Sequence, residues 1–259
     1  MSDPGSPLLI FDEQLLEQRA YWLQQLAALP ASPAGLPLVE DLSDEPTASW
    51  QQLSVEVPLD LSERLRKLTS GNTVLAHCVC TTVVKIVLYR YTGQSPVIIG
   101  VPHRCGGENG SAGEALMILD TVTPEMSFRK LLEGVRKTLA GAHANSRYPF
   151  SRLVQDLQRE ASASLFDVTV AFESVHVPMP DLGQNLNLRW YESNDRYGCD
   201  IAFRATKYVS TTVKQFAGHM LRVLEACLTT PQRPIQTLPL LDSLERHGLL
   251  SLGCGVGAE

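Results

Sequence analysis

The sequence predicts an α/β fold, a mixed central sheet flanked by helices, and two observations carry that prediction. The stretch from about Val74 to Tyr91 is apolar on every side, and the apolar run Pro96 to Val101, PVIIGV, follows it closely. A helix without a polar face beside a strand without alternation implies that both are buried in one layered core. The rest of the chain switches repeatedly between helical and strand periodicity, as alternating helices and strands do.

Taken in order, residues 11–30 place Leu15, Leu16, Ala20, Tyr21, Leu23 and Leu26 at helical spacing, with acidic residues early and Pro30 as a stop. Ala31 to Ser49 is Pro-rich and acidic, which predicts an extended connector rather than a packed element. Trp50 to Val57 alternates as a strand with Leu53, Val55 and Val57 on one face, and Leu59 to Leu68 predicts a short helix. The long apolar helix closes at Thr92-Gly93, and strand Pro96 to Val101 follows it. His103 to Gly113 is a Gly-rich polar loop, and ALMILDTV (115–122) is the next strand. Phe128, Leu131, Leu132, Val135 and Leu139 then mark the core face of a helix beginning near Met126. Asp167 to Ser174 alternates as a core strand, whereas Val175 to Asp195 is loop-like with a strand at Leu186 to Tyr191. Asp200 to Lys207 predicts another strand, Thr212 to Leu228 an amphipathic helix, and about Leu241 to Leu250 a last helix.

Composition narrows the function. The 259 residues are 44% apolar and 19% charged, enough for a substantial core and too ordinary for a disordered or fibrous chain. A formal charge of −6 provides no global positive field, so nucleic acid is not an expected partner. The apolar helix approaches the length of a bilayer span. It contains His77, Lys85 and Arg90, however, and a charge such as mid-segment Lys85 costs roughly 2.5–3.5 kcal/mol on insertion scales. A core helix is expected, with no membrane partner. Six cysteines show no C-x-x-C pair and no zinc spacing with histidine, so buried free thiols are expected in a reducing, cytosolic compartment. Residues 1–7 lack the pattern of a secretory signal.

No catalytic constellation emerges from spacing. The six histidines are isolated in sequence. His77 reads as a hydrogen-bonded core residue, His219 and His247 as helix-surface residues, and His176 as part of a variable loop. His103 and His143 remain as loop or helix-end candidates, His103 being the weak candidate for a general base, which would need a positioned partner. The glycines at 106, 107, 110 and 113 form neither a P-loop nor a dinucleotide fingerprint. Ser162 and Ser164 have no glycine elbow, and Asp120 after LMIL reads as a turn former as readily as a strand-end acid.

The order of motifs is more informative. AYWLQQLAALP (20–30), the helix ending LYRYTGQ (88–94), IIGVPHR (98–104), SFRKLLEGVRKTLAGAHANSRYPFSRLVQDL (127–157) and SLFDVTVAFES (164–174) together resemble the C-terminal half of a nonribosomal peptide synthetase condensation domain. Tyr148-Pro149-Phe150, then Leu153-Val154 and Leu165-Phe166, carry most of the resemblance, and LPLLDSLERHGLL (238–250) is similar to that family's junction to a following adenylation domain. The resemblance implies a single chloramphenicol-acetyltransferase-like lobe of a two-lobed fold. Carrier proteins dock on that fold, and their phosphopantetheine-bound thioesters are joined as an amide. It also implies that no cofactor belongs to this chain itself.

Departures from the family shape the expected function. The family signature H-H-x-x-x-D-G lies in the other lobe, and this sequence has no His-His pair. Where the family has a Gly-Phe-x-Val-Asn-type strand, this chain reads Gly113-Glu114-Ala115-Leu116-Met117-Ile118. Arg159-Glu160 replaces Arg-Asp, and a Phe-Asp-Leu strand is not evident between Pro178 and Lys207. The resemblance therefore divides the chain into an N-terminal helix and connector (1–49), a lobe (50–237) and a junction (238–259). The end at SLGCGVGAE is what a piece of a longer synthetase would show. The expected role is a noncatalytic platform for an adjacent adenylation domain in cis, contacted by Leu238, Leu240, Leu241, Leu244 and Arg246, with Tyr148, Pro149, Phe150, Arg159 and Phe166 as family-motif structural residues. Two alternatives are a docking module for a carrier protein or tailoring enzyme, and an acyltransferase half completed by a separate lobe or by His103. A lone lobe would also expose the face that meets its partner, where a second copy could bind.

Overall fold

The computed structural model describes residues 13–37, 49–105, 115–158, 164–242 and 245. Its centre is a mixed six-stranded sheet formed by β1 (Trp50–Glu56), β2 (Val97–Pro102), β3 (Ala115–Asp120), β4 (Val168–Phe172), β5 (Leu186–Ser193) and β6 (Arg196–Arg204). The spatial order is β1-β6-β5-β4-β2-β3, with β4 parallel to both β2 and β5 and the remaining pairs antiparallel. The helices are α1 (Glu13–Gln25), α2 (Leu59–Thr69), α3 (Thr73–Thr92), α4 (Phe128–Ala144), α5 (Phe150–Asp156) and α6 (Ser210–Thr229).

Helix α3 lacks a polar face because it has no wet side. It lies on β2 and β4, with α2, α4 and α6 packed around it, so every residue from Ala76 to Leu88 is buried. The side chain of Asn72 caps its first turn by accepting from the Leu75 amide, and Gly93, at φ +66°, closes it in the left-handed conformation that glycine adopts without a Cβ penalty. Its mid-helix charge, Lys85, is fully buried and donates to the carbonyls of Val97 at 2.7 Å and Ile118 at 2.6 Å. Lys85 Nζ also lies 3.2 Å from Asp120 Oδ2, while Thr138 donates to Asp120 Oδ1 at 2.6 Å. The acid at the end of ALMILD is thus a core tie between β3, α3 and α4 rather than a turn former.

Two expectations need correction. Residues 31–37 are not a free connector. Ala34 and Leu36 are buried, and the Leu36 amide donates to Tyr208 Oη at 3.2 Å. Tyr208 in turn donates to Asp167, which also accepts from Asn185 at 2.6 Å and Lys207 at 2.5 Å. Residues 38–48 lie outside the described residues. The strand expected at 200–207 begins instead at Arg196, because Asn194 and Asp195, at φ +48° and +62°, make a two-residue hairpin turn that pairs Ser193 with Arg196. Beyond that turn β5 and β6 run paired for their full length. Of the helix expected at 241–250, only Leu241, Asp242 and Glu245 are among the described residues.

Candidate functional site

The two faces of the sheet differ. Its helix-covered face carries Val168, Val170 and Phe172 of β4, with Leu188, Trp190, Cys199 and Ile201 of β5 and β6. β2 and β3 are buried on both faces, and Phe166 lies directly on Gly100. Side-chain alternation then turns Thr169, Ala171, Asn187, Arg189, Asp200 and Ala202 to the other face, where they border a cleft of about 480 Å³. Arg189 stands directly opposite Asp200 in the hairpin register and contacts it at 3.1 Å; Glu173 lies 3.2 Å away on the other side of the guanidinium. Ser54 donates to Asp200 at 2.7 Å, and Thr169 to Asn187 at 2.6 Å. The polar side chains of this floor are paired with one another, and Ala171 and Ala202 lie between them.

At one end of the cleft the chain assembles histidines that are far apart in sequence. His77 of α3 has its Nε2 within 3.2 Å of both the Val170 carbonyl and the Thr81 hydroxyl. The His176 ring packs on His77 at 4.4 Å between centroids, and His143 stacks on His176 at 6.2 Å. Burial, then the neighbouring positive groups, hold these rings neutral: His77 well below the usual histidine range, His143 at about 3 and His176 at about 4. His103 is buried as well, which lowers its basicity, and its carbonyl accepts from the Val177 amide at 2.9 Å. Among the described residues no carboxylate is placed to make any of the four a general base, and no group of side chains could hold a metal ion.

The segment after α6, expected to be a junction, forms a second feature. Arg90 donates to the carbonyls of Ile235 at 2.9 Å and Leu238 at 2.8 Å, and Arg222 donates to that of Leu240 at 2.5 Å. Asp242 and Glu245 exchange side-chain-to-amide bonds of 2.7 Å each, the reciprocal box that opens a helix. Glu245 also lies 3.2 Å from His219 Nε2 and 3.4 Å from Arg222. Burial raises the Tyr91 phenol, so it keeps its proton and donates to His219 Nδ1 at 2.6 Å, leaving the Nε2–H for Glu245.

Several sequence assignments change accordingly. His219 is not a surface residue, because the returning junction covers it. Leu238 is buried in the lobe's own core and Leu240 packs against it, so of the expected contacts Leu241 is the exposed one. Leu244 and Arg246 lie outside the described residues, as do Arg159, Cys254 and His247. Tyr148 is buried and bonds Asp156, which Arg19 grips at 2.9 and 3.1 Å; Pro149 precedes α5, and Phe150 meets Phe166 at 6.1 Å. Cys78, Cys80, Cys199 and Cys227 are buried free thiols, and Cys105 is exposed. Sequence reasoning missed Glu173, Arg189 and Asp200. The signal was Asn194-Asp195, whose turn places Arg189 opposite Asp200.

A family profile described as the condensation domain matches residues 11–250, nearly the whole chain. The chain belongs to the condensation domain family. Among relatives, it is 28% identical over 264 residues to malpibaldin synthetase of Mortierella alpina, covering 92% of this chain and 5% of that protein. It is 25% identical over 266 residues to tyrocidine synthase 2 of Brevibacillus parabrevis, covering 90% of this chain and 7% of that protein. Among solved structures, the X-domain from teicoplanin biosynthesis in complex with OxyB superposes with a TM-score of 0.74 at 16% identity, covering 89% of this chain and 56% of that one. The starter condensation domain of rhizomide synthetase, in complex with C8-CoA, gives 0.70 at 20% identity, covering 88% and 56%. At the identities of the solved structures the likeness is one of fold. This condensation-domain chain spans a small fraction of those synthetases and little more than half of each of those solved chains.

Proposed function

We propose that this condensation-domain lobe is a noncatalytic platform that seats an adjacent adenylation domain in a nonribosomal peptide synthetase. The observation that carries this reading is the junction. Arg90, Arg222 and His219 hold Ile235, Leu238 and Leu240 by their backbone carbonyls and Glu245 by its carboxylate, so this segment is fixed on the lobe rather than a free tether. A fixed exit orients whatever domain follows, and Leu241 remains for that domain to cover. The lack of a His-His pair, and burial that weakens His103 as a base, support the noncatalytic half of the reading. Comparing amino-acid-dependent pyrophosphate exchange and solubility of the full synthetase with and without residues 1–250 tests it. A loss of either supports the platform, and unchanged behaviour rejects it.

A second reading, docking of a carrier protein or tailoring enzyme, is favoured by the fold likeness to the X-domain solved with OxyB. Titration of labelled carrier protein against the chain distinguishes it; absence of saturable binding removes it.

A further inference from the structure

The ends of β2 and β4 bring together cationic and imidazole groups that the platform reading does not use. Arg104 and His176 face each other in an antiparallel bridge, fixed by the bonds Cys105 N–H to Val175 O and Val177 N–H to His103 O, each 2.9 Å. Directly opposed residues have Cβ atoms about 5 Å apart. His143, in the last turn of α4, stacks on the same His176 ring with 26° between the planes. Arg104 is exposed and forms no ion pair with any described residue. The charged neighbours that act on these rings are Arg104 and the histidines themselves, with no carboxylate among the described residues.

The protonation pattern of His176 follows from its backbone contacts. Its Nδ1 lies 3.0 Å from the Phe172 amide and 3.3 Å from the Phe172 carbonyl, but that carbonyl already accepts from the amides of Val175 and His176. Nδ1 therefore accepts the amide hydrogen, and the neutral ring carries its proton on Nε2. That Nε2 is buried, in a side chain only 5% exposed, and has no hydrogen-bond partner among the described residues. A buried donor without an acceptor, near a guanidinium that is in no ion pair with the described residues, is the complement of an oxyanion. His176 and Cys105 also line the cleft, so the cluster stands at its edge.

We propose that Arg104, His176 and His143 form a binding site for the carboxylate of a small monoanionic ligand. One fixed positive charge with the neutral His176 donor, its ring backed by His143, matches a single negative charge. A phosphate dianion would call for a second cation, which burial of the imidazoles opposes. The proposal is independent of the platform reading, since it concerns the isolated chain and not its neighbours.

Long-range proton–nitrogen spectra of the histidine rings in the full chain test it, with sodium acetate titrated at pH 7 and ionic strength held constant by chloride. The expected result is a saturable shift of His176 and His143 with His219 unmoved. Arg104→Gln, at an exposed position, should weaken acetate binding at least fivefold with an unchanged amide spectrum, and Arg104→Lys should retain part of it. A shift that does not saturate, or that saturates equally in Arg104→Gln, overturns the site. Tighter binding of inorganic phosphate than of acetate overturns the assignment to a monoanionic carboxylate.

Discussion

Replacing Lys85 by Met removes the only charge in the middle of the core helix, yet the lobe should become much less stable. Met keeps the length of the side chain, so the loss is electrostatic rather than a cavity. Three interactions disappear at once: the bonds to the carbonyls of Val97 and Ile118, and the ion pair with Asp120. Both members of that pair are buried, and deleting one partner of a buried pair costs about 3–5 kcal/mol because the other charge is left uncompensated. Against a total stability of roughly 5–15 kcal/mol, that is a large fraction. For a domain of this size it corresponds to a fall in Tm of about 6–20 °C. The double variant Lys85→Met/Asp120→Asn removes the stranded charge while leaving an oxygen for the Thr138 hydroxyl. It should recover more than half of the loss. Urea unfolding followed by fluorescence of buried Trp22 and Trp190 measures both. A single-variant cost below about 1 kcal/mol, or a double variant as unstable as the sum of the two single changes, would refute the assignment of Lys85 and Asp120 as a coupled core tie.

The same structure sets three further outcomes. Because His77, His143 and His176 resist protonation when folded, the unfolded chain binds more protons below its ordinary histidine pKa of about 6.5. Stability should thus be complete above that pH and fall toward pH 4, by up to ~1.4 kcal/mol per unit for each ring. Equal urea midpoints at pH 7 and pH 5, in a buffer without carboxylates, would contradict this. A Cβ placed on Gly100 would sit 2.5 Å from Phe166 Cε2, so Gly100→Ala should cost about 1–3 kcal/mol, relieved by adding Phe166→Leu. Urea midpoints of the single and double variants decide the matter. Arg222→Ala should speed hydrogen exchange at the amides of Asp242 and Glu245 roughly tenfold, the equivalent of one charge-assisted bond, without affecting β2. Unaltered exchange there would mean that the junction is held by packing alone.

How much of this was legible depends on sequence range. The apolar helix, the PVIIGV strand and the amphipathic helices at 128–144 and 210–229 carry their periods locally, and each formed within a few residues of its expected limits. The hairpin of β5 and β6 is harder, because Asn194-Asp195 lies in a polar stretch that reads as loop until both residues are taken as left-handed turn positions. The histidine cluster is not legible at all. Its members come from α3, α4 and the turn after β4, and nothing near any one of them marks the other two. His219 is misjudged for a related reason, since the helix face that reads as wet is covered by a segment that returns after Thr229.

The composition of the open sheet face bears on whether the lobe needs a second lobe to fold. A surface that is normally buried against a large partner would be expected to leave a broad apolar patch when presented alone. Here the floor of the cleft is built on Thr169, Asn187, Arg189 and Asp200, which satisfy one another and Ser54 by hydrogen bonds and ion pairs. Arg204 extends the pattern by stacking on Trp50 at 4.7 Å while pairing with Asp181. A polar face that is already paired gains little from a covering surface, because burial would strip water from charges whose partners are in place. The apolar side chains are concentrated on the helix-covered face, around α3, where the lobe covers them itself. This distribution supports a lobe that covers its own core without a second apolar surface laid over the open face of the sheet.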